Sequence, residues 1–509
     1  MKNNVGYLLT KRADMLPDKE AFVDVQSDIR LSYKEYNANA NRFADVLQKK
    51  GVKKGDRVGI LMMNSHQFME MFFAIAKIGA ICVPLNWRLV PDELTFILKD
   101  SGTKLLVFGD EFKDGVAVIR DNAGTDVETW LHSGAAEDAP AFASNLETLK
   151  ADASVAEPEL GAFEDDPVFI MYTSGTTGLP KGAVHTHKTL TWAVINMDST
   201  WELRQSDRFF VPLPLFHVGA LMPSVMAVYT GLTIIALKAF DPSLAWKTIE
   251  AEKVTNSLMV PTVMGAMLMV PEKDTCDVSS FRWSSIAGAP VPVSLLEACK
   301  KIGINLEQLF GLTEAAGPGC FLIEDAVERK PGSAGKGCLF IDARVVDAND
   351  KPVPPNTPGE LILKGKNMMV GYWNRPEDTE KTLKNGWLHT GDVATMDDEG
   401  FVYIVDRIKD MIISGGENIY PAEIEKVLAG MPGVAQVAVI GKPHEKWGEV
   451  PMAVIVPSDK ELTEESVLQF CDGKIARYKL PKAVTFVEAL PMTPTGKVQK
   501  RVLERQLSQ

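Results

Sequence analysis

The chain is expected to be an α/β protein. A large N-terminal domain of two helix-covered sheets with a small antiparallel β region should be followed by a small α+β C-terminal domain. Three observations predict this. Up to about Gly335, short apolar runs alternate with helical runs, the pattern of parallel sheets covered by helices. From there IDARVVD and GELILKG alternate with period two around the turn PPNTPG, as antiparallel strands do. From about Lys409 a third texture mixes the strand VAQVAVIG with helical runs around Glu464–Ala476. The boundary falls near Asp406–Asp410, giving domains 1–408 and 409–509. A chain of 509 residues has ample length for this.

The elements follow in order. Ser32 and Glu35 form an S-x-x-E capping box opening a helix that ends near Gly51. RVGILMM (Arg57–Met63) reads as a strand and SHQFMEMFFAIAKIGA (Ser65–Ala80) as a helix. ICVPLN is a strand, PDELTFILKD a helix opened by Pro91, and KLLVFGD a strand. Residues 115–165, rich in Ala, Asp and Glu, read as a surface excursion. VFIMY (Val168–Tyr172) is a strand running into a glycine-rich stretch, with a helix from about Thr189 to Trp201 after it. FFVPLP, SLMVP, SSIAGA and INLEQLFG are further strands. VGALMPSVMAVYTGLTIIAL carries no charge over Val218–Leu237, the length of a membrane span. Pro223, Gly231 and the turn-like YTG favour a buried helix followed by the strand Leu232–Leu237.

Composition narrows function. A net charge of −13 excludes a nucleic-acid scaffold, which needs a basic face. The acidic excess lies in residues 1–408, because residues 409–509 carry 13 basic and 13 acidic side chains. The six cysteines form no C-x-x-C pair, so neither zinc nor a disulfide framework is suggested and a reducing cytoplasm fits. The N-terminal residues lack the apolar core of a secretion signal. No G-x-G-x-x-G follows the first strand, which argues against a dinucleotide fold.

The chemistry begins at YTSGTTGLPKG, Tyr172–Gly182. Glycines let backbone N–H groups converge on an anion, hydroxyls add donors, and Lys181 adds a full charge, so a phosphate is the natural guest. The stretch is not a P-loop: counting from Gly175, Pro180 stands where that motif has glycine, and Gly182 follows the lysine. Four companions follow: QLFGLTEA (Gln308–Ala315), HTGD (His389–Asp392), DRIKDMIISGGENIYPAEIE (Asp406–Glu425) and PTGK (Pro494–Lys497).

In order and spacing, these five motifs resemble the acyl- and aryl-CoA synthetases of the ANL superfamily of adenylate-forming enzymes, across essentially the whole chain. The resemblance implies ATP, Mg²⁺, a carboxylic acid and coenzyme A as the small-molecule partners. The acid attacks the α-phosphate to give an acyl-adenylate, and the CoA thiol then displaces AMP. It implies that Thr173, Ser174, Gly175, Thr176, Thr177, Gly178 and Lys181 cradle the outer phosphates. Thr176 and Glu314 would hold the metal, and Thr313 would donate to the α-phosphate. Adenine would lie between Gly288-Ala289-Pro290 and the ring of Phe310, within the segment that includes Gln308, Gly311 and Leu312. Asp392 would accept from the ribose hydroxyls, Tyr403 would belong to the cofactor-binding set, Arg407 would steady the ribose or phosphate, and Lys497 would bridge carboxylate and α-phosphate during adenylation.

The family rotates its C-terminal domain between half-reactions. Lys409 occupies the hinge position, and Gly415, Gly416, Trp447, Tyr478 and Lys482 would meet CoA. His217 matches a histidine near the carboxylate entrance, whereas His185 and His187 read as structural. The runs PLFHVGAL and FGLTEAAGPG most resemble bacterial fatty-acyl-CoA synthetases. Small residues (Gly219, Ala220, Ala315, Ala316, Gly317, Gly319) should leave an open acyl channel, and each buried CH₂ adds about 0.8 kcal/mol for a medium or long acid. The alternatives are an aryl-CoA ligase and an adenylation module loading a carrier protein. Some of these synthetases meet membranes peripherally, although no basic amphipathic anchor is evident in this sequence.

Overall fold

Ser32 and Glu35 close the expected capping box. The Ser32 amide donates to the Glu35 carboxylate at 2.8 Å, and the Glu35 amide donates to Ser32 Oγ at 3.3 Å. The helix they open, Tyr33–Lys49, buries Tyr36, Phe43 and Leu47 on one face. The computed structural model describes residues 3–122, 124–173, 180–289, 291–414, 417–459, 461–492 and 498–507. The chain divides into two compact units, residues 1–343 with 363–388, and 344–362 with 389–509.

The first unit holds the two expected α/β sheets. One runs Asn305–Leu312, Trp283–Ala287, Asn256–Met259, Arg208–Val211, Thr233–Ala236 and Glu20–Asp24, all parallel, with antiparallel strands added at both edges. The other places Ile81–Pro84, Arg57–Leu61, Thr103–Gly109 and Thr129–Ser133 in parallel beside Pro167–Thr173. The parallel strands are buried on both faces, which explains why they read as continuous apolar runs. Trp246 is the largest fully buried side chain and packs with Phe210, Met259 and Ile286; its indole N–H donates to the Met267 carbonyl at 2.8 Å. The uncharged stretch becomes the buried helix Val218–Thr230 and the strand Thr233–Ala236. Among the described residues no helix is long and apolar enough to cross a membrane.

Two sequence expectations fail locally. Residues 115–165 are not merely an excursion: Thr129–Ser133 extends the second sheet, burying Trp130 and Leu131, and Leu146–Ala151 is a helix. Five residues of strand give too little periodicity to stand out beside acidic loops. The glycine-rich stretch is also followed by a strand, Lys181–Thr186, before the helix His187–Thr200.

One buried polar network ties the first helices together. Lys77 is fully buried, and its ammonium donates to Asn37 and Asn41 at 2.6 Å each and to Glu157 at 2.9 Å. The pairing satisfies a charge that would otherwise be costly to bury. It joins helix His66–Ile78, helix Tyr33–Lys49 and the loop around residue 157.

In the second unit, the hairpin Val434–His444 and Gly448–Pro457 is flanked by Ile412–Ser414 and Ala483–Phe486. Helices Pro421–Ala429 and Glu464–Cys471 cover one face through Ile424, Leu428 and Val467. Helix Lys500–Leu507 covers the other through Leu503, packed against Ala438 and Ile440. The strand VAQVAVIG carries both faces by alternation.

Candidate active site

Strands Pro167–Thr173 and Lys181–Thr186 pair antiparallel, with Thr173 opposite Lys181. The two strands thus present both ends of the glycine-rich stretch side by side. Ser174, Gly175, Thr176, Thr177 and Gly178 lie outside the described residues. Lys181 reaches Asp378 at 2.8 Å, with its ammonium 5.4 Å from the centre of the Tyr372 ring.

Strand Asn305–Leu312 delivers the next group to the carboxyl edge of the sheet, where open α/β sheets bind ligands. Its neighbour Trp283–Ala287 runs parallel with Ala287 opposite Leu309, so Gly288 and Ala289 emerge beside Phe310 and Gly311. Gly288 has φ +83°, a left-handed turn suited to glycine; Pro290 lies outside the described residues. Gln308 is buried on the strand. Gly311 is sterically required, because a Cβ there would lie 2.0 Å from the Gly317 carbonyl oxygen.

Past Leu312 the chain makes one 3₁₀ turn, Thr313–Ala315, held from three sides. His185 Nε2 donates to the Thr313 carbonyl at 2.8 Å, Tyr372 OH donates to Glu314 Oε1 at 2.8 Å, and Asn367 Nδ2 donates to the Ala315 carbonyl at 2.7 Å. Glu314 is thereby fixed as an oriented carboxylate. Tyr372, Asn367 and Asp378 were missed by the sequence reading. Their stretch, NMMVGYWNRPED, has neither helical nor strand periodicity, and only its turn residues mark it.

His185 and His187 are both buried. His187 Nδ1 accepts the Val5 amide at 3.0 Å. Burial pushes each imidazole from 6.5 down to about 4. Between those values the unfolded chain binds protons that the folded chain refuses. Stability is therefore fully present above about pH 6.5 and declines as pH falls through that window. Thermal unfolding at about pH 7.5 and about pH 5 should show the lower midpoint in acid, and His187→Gln should narrow the gap. Equal midpoints would refute the assignment.

On the acyl side, His217 precedes helix Val218–Thr230, its ring 4.5 Å from that of Phe216, which Trp87 meets edge-on at 6.0 Å. Val218 lies near Gly317, and Val260 near Gly288. The expected row of small residues does not line one open channel. Ala220, Ala315, Ala316 and Gly319 are buried, and a Cβ on Gly319 would meet Leu363 at 2.9 Å. Gly219 and Gly317 remain partly exposed.

In the second unit, the antiparallel pairing of Trp387–Met396 with Val402–Arg407 sets Asp392 opposite Arg407 and Tyr403 opposite Thr395. Arg407 Nε meets Asp392 Oδ1 at 2.6 Å, and Asp392 is only 3% exposed. The Asp392 amide donates to Thr390 Oγ1 at 3.1 Å, and the Thr390 hydroxyl to the Leu361 carbonyl at 2.7 Å. Lys409 is exposed on the single 3₁₀ turn Ile408–Asp410. Trp447 is 44% exposed at the tip of the long hairpin, with Lys446 over its ring, and Tyr478 is similarly exposed. Such exposure does not suit a core anchor. The Lys482 amide bonds to the Pro451 carbonyl at 2.8 Å. Gly415, Gly416 and Lys497 lie outside the described residues. Among the described residues no three His, Cys, Asp or Glu side chains gather to hold a metal alone.

The AMP-binding enzyme family matches residues 9–373, and the AMP-binding enzyme C-terminal domain matches residues 423–497. The chain is 43% identical over 508 residues, 99% of each chain, to the long-chain-fatty-acid–CoA ligase FadD13 of Mycobacterium tuberculosis. It is 40% identical over 509 residues, again 99% of each chain, to a feruloyl-CoA synthase of an Amycolatopsis species. A solved structure of ATP-bound MatB from Rhodopseudomonas palustris is similar at 32% identity and a TM-score of 0.90, covering 100% of this chain and 99% of that one.

Proposed function

The chain belongs to the AMP-binding enzyme family, and from that premise we propose that it is an ATP-dependent acyl-CoA synthetase for medium- or long-chain fatty acids. The acid would be activated as an acyl-adenylate with release of pyrophosphate, and CoA would then take the acyl group and release AMP. The observation that carries this reading is the identity to a long-chain ligase along the whole length of both chains.

A carboxylate is a poor electrophile because its charge repels nucleophiles. Adenylation removes that charge, but it brings two anions together, so the site must supply cations and donors. Lys181 and the glycine-rich stretch would take the outer phosphates, and Thr313 the α-phosphate. Phe310 and the Gly288 turn would take adenine, and His217 would stand at the carboxylate entrance. Lys497 would bridge the two anions as the new bond forms. Glu314 fits Mg²⁺, since a single oriented carboxylate is what such an ion takes when phosphate oxygens and waters complete its shell; Thr176 would be the second protein ligand. When bound, the ion would neutralise phosphate charge. We take residues 409–509 as the moving part, with Lys409 as hinge and Gly415, Gly416 and Trp447 along the CoA path.

A second reading, an aryl-CoA ligase, is favoured by the feruloyl-CoA synthase relative and by the aromatic pair Phe216 and Trp87 beside His217. Carboxylate-dependent pyrophosphate release across straight-chain and aryl acids, with and without CoA, decides between them. A rise with chain length and acyl-CoA as product supports the first reading. Preference for aryl acids transfers the chain to the second, and adenylate that never passes to CoA defeats both.

The ribose assignment has its own test. Asp392→Asn keeps the shape but removes the charge that would accept from the ribose hydroxyls. It should lower kcat/KM for ATP by about tenfold to a hundredfold, the worth of a hydrogen bond to a charged group. An unchanged KM for ATP would remove Asp392 from the nucleotide site.

A further inference from the structure

The segment Gly371–Asp378 holds both charged arms of the site described in the first unit. Its Asp378 carboxylate meets Lys181 at 2.8 Å, where the lysine side chain is 14% exposed and the aspartate 30%. Its Tyr372 ring lies beside the same ammonium while its hydroxyl donates to Glu314.

The segment is tied at several points. Gly371 and Tyr372 pair antiparallel with Val184 and Ala183, and the Trp373 amide donates to the Gly182 carbonyl at 2.7 Å. The Trp373 indole donates to the Asp100 carbonyl at 3.1 Å, and the Asp100 carboxylate accepts from Tyr172 OH at 2.7 Å. The strands on both sides of the glycine-rich stretch are thus linked to it.

A largely buried ammonium needs an anion close by. Asp378 meets that ammonium directly, while Glu314 is bonded to the hydroxyl of the Tyr372 ring beside it. Pairing with Glu314 would spend the carboxylate that the metal needs. Tyr372 occupies Glu314 instead, leaving Asp378 to Lys181. A polyphosphate arriving at Lys181 would have to take the ammonium from Asp378 and then sit near a carboxylate.

We propose that Asp378 is a resident counter-ion that holds Lys181 in place and competes with the outer phosphates of ATP for it, setting a threshold on triphosphate binding. The inference rests on the assignment of Lys181 to those phosphates. Asp378 is on this account a positioning residue, acting through Lys181.

The test titrates ATP and AMP separately into the full chain by calorimetry, without acid or CoA. Asp378→Asn keeps the shape and an acceptor for Lys181 but removes the charge. ATP should bind the variant about two- to fivefold more tightly, the range of a partly exposed ion pair, while AMP, which lacks the outer phosphates, binds as before. Asp378→Ser should shift ATP in the same direction, and Asp378→Glu should stay close to wild type. Unchanged or weaker ATP binding by both uncharged variants, with AMP binding intact, overturns the counter-ion role and leaves the nucleotide site standing. A wild-type chain that binds AMP and ATP equally well removes Lys181 from the outer phosphates and overturns both readings, as would a chain that binds neither.

Discussion

Lys497→Ala should lower carboxylate-dependent pyrophosphate release by about a hundredfold to a thousandfold, the cost of losing one preorganised group at developing charge. Thioester formation from supplied acyl-adenylate should continue near the wild-type rate. The asymmetry follows from the chemistry. Adenylation joins two anions, and an ammonium between them offsets repulsion only as the bond forms. Thiolysis attacks the uncharged acyl carbonyl of the adenylate, so no carboxylate has to be driven against a phosphate in that step. The described residues on either side of PTGK are tied together: Met492 and Val498 form an antiparallel bridge, and Gln499 donates from its amide to the Pro491 carbonyl at 2.8 Å and from its side chain to the Met492 carbonyl at 2.7 Å. Pyrophosphate release and acyl-adenylate thiolysis, measured on the same preparation, check the split. Equal loss of both would sink the role given to Lys497.

Much of the fold was legible because local and global signals agree. The Ser32–Glu35 box, the Pro91 start and the apolar runs at Arg57–Leu61 and Thr103–Gly109 each declare themselves within a few residues. Strand Lys181–Thr186 did not, since it begins Lys-Gly straight after a loop and its pairing is set by Pro167–Thr173 rather than by its own pattern. Site legibility divides the same way. Gly288, Phe310, Glu314, Asp392 and Arg407 sit in compact motifs, and the resemblance those motifs carry, rather than the residue types alone, gives them their proposed roles. Tyr372 becomes important only because folding brings its hydroxyl to a carboxylate 58 residues away. Asp378 likewise is one acid among many until Lys181 is placed against it. Small residues misled for the opposite reason: a short side chain signals space, but sequence cannot say whether a neighbour fills it, as Leu363 crowds Gly319.

Lys409→Pro should leave pyrophosphate release close to wild type and depress the CoA step by about a hundredfold or more, the scale of misplaced reacting groups. Lys409 is the middle residue of the turn Ile408–Asp410, with fixed structure on either side. Before it, Arg407 is bonded to buried Asp392; after it, Ile412 is buried and paired with Ile419. Freedom to swing is therefore confined to a few residues, as hinges require. Proline fixes φ near the value a 3₁₀ turn already uses, so one orientation survives while access to others is lost. A swing must also break a second tie. Asp406 Oδ2 accepts the Ala422 amide at 2.8 Å, in the first turn of helix Pro421–Ala429, across the proposed hinge. Burial holds the Asp406 carboxyl above its usual range, with Lys500 opposing the shift. On the proposed hinge role, a φ lock at Lys409 is enough to hold the chain in one orientation. Should the proline variant make thioester from acid, ATP and CoA at the wild-type rate, the turn at Ile408–Asp410 would not be where the chain bends between the two half-reactions.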